Sequence, residues 1–194
     1  MKEIVRYLFL ALLLLTAGGI PLTAEETLPP KLQTLADEAY RSYSARETEN
    51  FFEAIQNVKE ATEQGMFVTM FIGLIDLKTG HMAYCNAGHN PPLLDGEFMK
   101  MESNAPIGLW PELEYAGEEV GDMHGKTLFV YTDGINEAEN VHKEQFGDER
   151  LRALLKNDLG NARQTSEAIH KAVEEFVGEA EPSDDLTKMC IKMN

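Results

Sequence analysis

Phe67 to Asp76 reads FVTMFIGLID, and His81 to Ala87 reads HMAYCNA. The first run is rich in β-branched and aromatic residues and apolar at both alternating sets of positions. That is the pattern of a strand buried on both faces. Lys78-Thr79-Gly80 between the runs is a turn in which Gly80 can take a positive φ. Residues 67–87 are therefore predicted to form a β-hairpin, followed by the loop Gly88-His89-Asn90-Pro91-Pro92. Further along, short strands are predicted near Leu93-Leu94, Phe98 to Met101 and Tyr115 to Val120. Thr127 to Thr132 (TLFVYT) is another buried strand and ends at Asp133-Gly134. Helices are predicted at about 148–156 and 164–177. In the second, Ile169, Ala172, Val173, Phe176 and Val177 make the buried stripe. Asp184-Asp185 precedes a last strand, Leu186 to Met193. Antiparallel strands with helices gathered late in the chain imply an α+β layered fold.

Upstream of the hairpin the pattern is helical. In residues 25–64, Pro29-Pro30 suits a first helical turn, and Leu32, Leu35, Ala36 and Ala39 recur at helical spacing. Ser44-Ala45-Arg46-Glu47 fits a capping box, ahead of an apolar stripe at Phe51, Phe52, Ile55 and Val58. The chain opens differently. After Lys2 and Arg6, Tyr7 to Ala24 runs 18 residues without a charge, Leu-rich at its centre and broken by Gly18, Gly19 and Pro21. Three readings fit residues 1–24. The small residues up to Ala24 suit a cleaved secretory leader. A run near the roughly 20 residues of a membrane span suits an uncleaved anchor through residues 4–22. A core helix is the third.

Composition narrows the function. The 194 residues carry 33 acidic and 17 basic side chains, a formal net charge of −16. Nucleic-acid backbones need a basic footprint, so nucleic acid is excluded as an expected ligand. A metal cation or a basic partner suits the charge better, beside the plain effect of a solvated acidic surface. Two cysteines rule out a disulfide framework. Cys85 and Cys190 fall inside predicted strands, where reduced thiols are the default and a disulfide between them is the alternative in an exported domain.

The residues with chemistry sit at strand ends. Asp133 directly follows an apolar strand and is itself followed by a glycine that allows close approach. Asp184 and Asp185 stand just before one. Carboxylates at such edges suit hard cations, and they equally suit ordinary turns and caps. Asp76 and Asp122 read as turn residues, Glu137 and Glu139 as solvated supports of the loop after Asp133. His89 reads as a structural loop residue, with acid chemistry as its alternative. Trp110 reads as a packing residue beside the site.

Five motifs occur together in order: MFVTMFIGLIDLKTGHMAYCNAGHNPPLL at 66–94, APIGLW at 105–110, TLFVYTDGINEAEN at 127–140, FGDERL at 146–151 and SDDLT at 183–187. The set resembles the C-terminal half of a PPM-type, metal-dependent protein phosphatase domain, in its SpoIIE-like branch. The resemblance covers residues 65–194. It implies a β-sandwich flanked by helices, here incomplete and preceded by the helical segment. It also implies a Mn²⁺ or Mg²⁺ two-metal centre and hydrolysis of phosphoserine or phosphothreonine. Asp133 matches one metal-ligand aspartate of the family and Asp184 another, with Asp185 the alternative. Gly134 would keep the approach open. The implied partner is a phosphorylated regulator of the anti-sigma-antagonist type.

The chain also departs from that family. Its two earlier motifs, Gly-Asp-x-x-Asp and an aspartate-glycine word ending in Ser-Gly-His-Gly, are missing from residues 1–64, where Asp37 is the sole aspartate. Three expectations follow. Residues 1–64 look like the start of a sensor and 65–194 like its end, joined by an internal loss near Glu63-Gln64-Gly65. The buried strands should lack neighbours, and exposed edges favour self-association, such as a homodimer. The alternative to an enzyme is a truncated pseudophosphatase or binding module, and the location is membrane-associated or exported by the N-terminal segment.

Overall fold

The computed structural model describes the strand at 7–14 and residues 67–193, apart from 102–104, 111–112, 114 and 182–183. The helices expected at 25–64 lie outside the described residues. By internal contacts the chain divides into two units, Met1–His89 with Glu102–Val120, and Asn90–Met101 with Gly121–Asn194.

The first unit is built on the predicted hairpin. Strand β2 (Thr69–Asp76) pairs antiparallel with β3 (Met82–Ala87), with Phe71 opposite Asn86 and Ile75 opposite Met82. Asp76 Oδ1 accepts the amides of Lys78 (2.8 Å) and Thr79 (3.3 Å), and Gly80 closes the turn at φ 72°. The carboxylate thus replaces the turn's missing backbone acceptors, which is the turn role expected of Asp76. Met70, Ile72, Cys85 and Ala87 pack with Val68, Ile107 and Tyr115 in one buried cluster. Strand β6 (Glu118–Val120) covers the far side of β3.

Strand β2 also has a partner on its other side, against the expectation of a missing neighbour. Strand β1 (Tyr7–Leu14) runs antiparallel to it, from Tyr7 opposite Asp76 to Leu14 opposite Thr69. The core-helix reading does not hold for these eight residues. An open row of β2 backbone groups is satisfied by an extended partner, and a helix spends its own donors and acceptors internally.

The second unit holds the other sheet, whose four strands lie in the order Glu97–Phe98, Leu93–Leu94, Thr127–Tyr131 and Lys188–Lys192. Strands β4 (Leu93–Leu94) and β5 (Glu97–Phe98) meet through Asp95-Gly96, both at positive φ (51° and 75°). That is the backbone of a two-residue hairpin whose twist matches the strands. Strand β7 (Thr127–Tyr131) lies between β4 and β8 (Lys188–Lys192), so it too has both neighbours. Phe129 and Tyr131 of β7 pack under helices α2 (Gly147–Leu155) and α3 (Ala162–Val177), against Leu151, Leu155, Ile169 and Val173. The stripe expected on α3 is borne out, with Ala172, Phe176 and Val177 at its margin. The helix begins two residues earlier than predicted because Asn161 and Gln164 form a reciprocal capping box: each side-chain oxygen accepts the other's amide, at 3.0 and 2.9 Å. Gly178, at φ 60°, ends it.

A short helix α1 (Asp133–Asn136) was not predicted. Trp110 also departs from expectation: 58% of its surface is exposed, so it is no packing residue. It sits in a turn, where its carbonyl accepts the Leu113 amide at 3.1 Å.

Candidate functional site

Thr132 fastens two distant stretches of the second unit. Its amide donates to the Thr187 carbonyl at 3.0 Å. Its hydroxyl donates to the Asp185 carbonyl and accepts the Thr187 amide, both at 3.2 Å. The side chain is buried, which makes each of these bonds costly to lose. The ladder between β7 and β8 is thereby extended past Tyr131, one step into each acidic motif. Leu186 to Thr187, predicted as strand, leave the regular ladder at this point, because a side chain takes over the bonding.

Gly134 completes the join. It is buried, and a Cβ built on it would overlap the backbone carbonyl of Asp185. The glycine was expected to keep an approach open. What approaches is the chain's own backbone at Asp185. The two motifs read as metal-ligating are thus brought side by side, TDG through Thr132 and Gly134, SDDLT through Asp185 and Thr187.

Asp133 and Asp184 both leave this join toward solvent. Asp133 Oδ1 accepts the Gly134 amide at 3.1 Å, and Asp184 Oδ1 accepts the Asp185 amide at 2.7 Å. Each carboxylate keeps a second oxygen and further lone pairs. Asp185 is exposed as well, but its carbonyl is already committed to Thr132. Exposed carboxylate oxygens are the donor type that Mg²⁺ and Mn²⁺ take, so the chemistry of the pair fits such an ion. Among the described residues, no group of three or more His, Cys, Asp or Glu side chains gathers closely enough to hold a metal.

His89 lies in the first unit, buried, in a turn closed by Asn86. Asn86 Oδ1 accepts the His89 amide and Asn86 Nδ2 donates to the His89 carbonyl, both at 2.8 Å. Those bonds give its backbone the loop role read from the sequence. Asp122 likewise acts in a turn: Oδ1 accepts the amide of His124 at 2.8 Å and meets its Nδ1 at 2.7 Å. Cys85 and Cys190 are both thiols, with no disulfide.

Sequence reasoning missed three residues around the join. Asn136 of α1 donates through Nδ2 to Asp148 Oδ1 at 3.0 Å and accepts through Oδ1 from Asn90 Nδ2 at 3.5 Å. Asp148 stood in the quoted FGDERL word and Asn90 in GHNPP, so the motifs marked the places without giving the roles.

The antiparallel α+β fold, with its acidic motifs converging at the ends of neighbouring strands, agrees with the fold that the resemblance implied, that of PPM-type phosphatases. Comparison with known proteins gives the family. The Stage II sporulation protein E (SpoIIE) model matches residues 30–194, and the chain belongs to that family. The match opens inside the segment read as helical. Protein IcfG of Synechocystis sp. is 33% identical over 144 residues, covering 69% of this chain and 22% of that protein. The chain therefore spans about a fifth of the length of that curated relative. Among solved structures, the SiaA-PP2C domain of Pseudomonas aeruginosa superposes with a TM-score of 0.72 at 19% identity, over 97% of this chain and 80% of that one. The PP2C phosphatase domain of SpoIIE from Bacillus subtilis, solved with a fragment of its regulatory domain, gives 0.69 at 18% identity, over 97% and 55%. RsbX, solved in complex with magnesium, gives 0.58 at 19% identity, over 98% and 83%. At these identities the structures speak to the fold. The chain is thus a SpoIIE-family chain with the fold of part of a PP2C-type phosphatase domain.

Proposed function

We propose that Asp133 and Asp184 are metal ligands, for Mn²⁺ or Mg²⁺, and that the chain removes phosphate from phosphoserine or phosphothreonine in a regulatory protein. The observation that carries this reading is the Thr132 latch with the Gly134–Asp185 approach. It holds two acidic segments together and leaves their carboxylates in solvent. A bound divalent ion supplies an acidified water and neutralises phosphoryl charge. The chain's own residues do the rest: Thr132 and Gly134 fix the spacing of the two segments, and the carboxylates offer oxygens to the ion. The partner is proposed to be a phosphorylated regulator of the anti-sigma-antagonist type. That SpoIIE, a similar structure, is a cell fate determinant with a regulatory domain supports a regulatory setting for the partner.

A second reading, a binding module without turnover, is favoured by one observation. Among the described residues the convergence supplies carboxylates from two segments, with no acidic or imidazole group of three. Membrane attachment or export through residues 4–22 belongs to the proposal on the strength of the sequence, as an alternative to the pairing of Tyr7–Leu14 with β2.

The deciding experiment is Mn²⁺-dependent hydrolysis of a phosphoserine peptide by the purified full chain, beside Asp133→Asn. Hydrolysis that requires Mn²⁺ and disappears in the variant supports the enzyme. A folded chain that binds Mn²⁺ and hydrolyses nothing supports the binding module. A folded chain that does neither overturns both.

A further inference from the structure

Helix α1 carries Asp133 at its first position and Asn136 at its last. Four residues make little helix by themselves, because nucleation fixes several dihedrals for very few hydrogen bonds. The bonds at its two ends are the Ile135 amide to the Thr132 carbonyl at 3.0 Å and the Glu137 amide to the Asp133 carbonyl at 2.8 Å. The helix must be held from outside. Thr132 holds its start, and the buried Ile135 and Ala138 hold its underside. Neither contact sets the direction in which the exposed side presents Asp133.

Asn136 can set it. Residues i and i+3 of a helix share a face. The Asn136 amide is engaged at both ends, donating to Asp148 at 3.0 Å and accepting from Asn90 at 3.5 Å. Asp148 stands in the first turn of α2, whose Leu151 and Leu155 are buried in the core. Asn90 precedes Pro91-Pro92, a pair with restricted φ that also restricts the residue before it. Both outer groups therefore sit on stiff supports. A brace at Asn136 fixes the rotation of the one turn that carries Asp133.

We infer that Asn136, braced by Asp148 and Asn90, is a positioning residue for the Asp133 carboxylate. The inference rests on the reading of Asp133 as a metal ligand. Groups that orient a ligating side chain are worth about 10- to 100-fold in metal affinity. Asp148 enters as the acceptor that orients the amide, with no ligand role of its own.

The test is direct Mn²⁺ binding by the full chain, read from the spin-resonance signal of free Mn²⁺, with thermal unfolding of each metal-free variant in parallel. Asn136→Ala and Asp148→Ala are expected to weaken binding by about 10-fold or more. Asp148→Asn keeps an acceptor oxygen for the Asn136 amide and is expected to stay within about threefold of the parent. A role confined to stability would lower the melting temperature and leave the affinity of the folded protein alone. Parent-like affinity in both alanine variants overturns the inference while leaving Asp133 as a ligand. Equal losses in Asp148→Ala and Asp148→Asn also overturn it, because the charge of Asp148 would then be what acts. If the parent chain binds no Mn²⁺, the ligand reading of Asp133 fails first and takes the inference with it. Should Asn136→Ala not fold, the exposed Asp148 pair decides alone.

Discussion

Gly134→Ala adds one methyl group where the Asp185 carbonyl already sits. The obstructing atoms are backbone, the oxygen and carbon of Asp185, so no flexible side-chain tip can swing aside. Overpacking of a filled site costs up to about 3 kcal/mol. Alanine recovers about 1 kcal/mol of helix propensity over glycine in α1. The expected net loss is about 2 kcal/mol, roughly a 30-fold shift toward the unfolded chain. In a chain of this length that lowers the melting temperature by about 4–8 °C. The control is Gly121→Ala, where a Cβ meets nothing within 4 Å and φ is not positive. Its effect should stay within about 0.5 kcal/mol. Urea denaturation of the two variants beside the parent measures the difference. The same methyl group pushes the TDG and SDDLT segments apart, so Mn²⁺ binding should weaken in the folded fraction. A Gly134→Ala protein with parental stability and parental Mn²⁺ binding would refute the claim that backbone approach at Asp185 builds the site.

Three other outcomes are expected. Thr132→Val keeps the shape but strips the hydroxyl that joins Asp185 to Thr187; it should cost about 1–3 kcal/mol in urea unfolding, and a loss below the experimental error would remove the latch from the account. Trp110→Ala should change stability by no more than about 0.5 kcal/mol, since the indole is largely exposed; a loss of several kcal/mol would restore the packing role. Burial, then the Glu118 charge, pushes the Cys85 thiol up to about 11. Burial, then the hydrogen bond to Glu118 and its charge, pushes the Tyr84 phenol up to about 12. Both groups are held neutral in the fold and ionise more readily in the unfolded chain. Their contribution is complete below about pH 9 and is lost as pH rises toward 11 and 12. The urea midpoint should therefore fall between pH 8.5 and about 11; a midpoint unchanged across that window would contradict the sign.

Much of the fold was legible because its signals are local. The unbroken apolar, β-branched and aromatic run in FVTMFIGLID, the Lys78-Thr79-Gly80 turn and the Ile169–Val173 stripe each state a structure within a few residues. The Asp95-Gly96 dipeptide between Leu94 and Glu97 carried an equally local hairpin signal that was not used. Helix α1 was not legible, since four residues beginning at the end of a strand show no period. Trp110 misled because large aromatic residues are commonly buried, and the turn that exposes it is set by contacts outside its own word. At the site, Asp133, Gly134 and Asp184 were marked by motif, but the latch was not. A threonine at the end of a strand looks like strand propensity until its hydroxyl is seen to reach a segment more than fifty positions away. Asn136 and Asp148 were hidden for the same reason, as their bond joins two helices that sequence describes separately.

Strand β1 places a demand on the order of events at the ribosome. Its eight residues are made well before their partner, Thr69–Asp76, which begins about 55 residues later. At roughly 5–20 residues per second that is an interval of about 3–11 seconds. Until that interval has passed, this uncharged Leu-rich stretch has no β2 to pair with. Whatever binds such stretches, a targeting factor or a chaperone, has first access, and the sheet competes for it only afterwards. The fate of the amino-terminal segment is thus decided by timing as well as by affinity, and slowing translation between residues 15 and 68 would lengthen the head start.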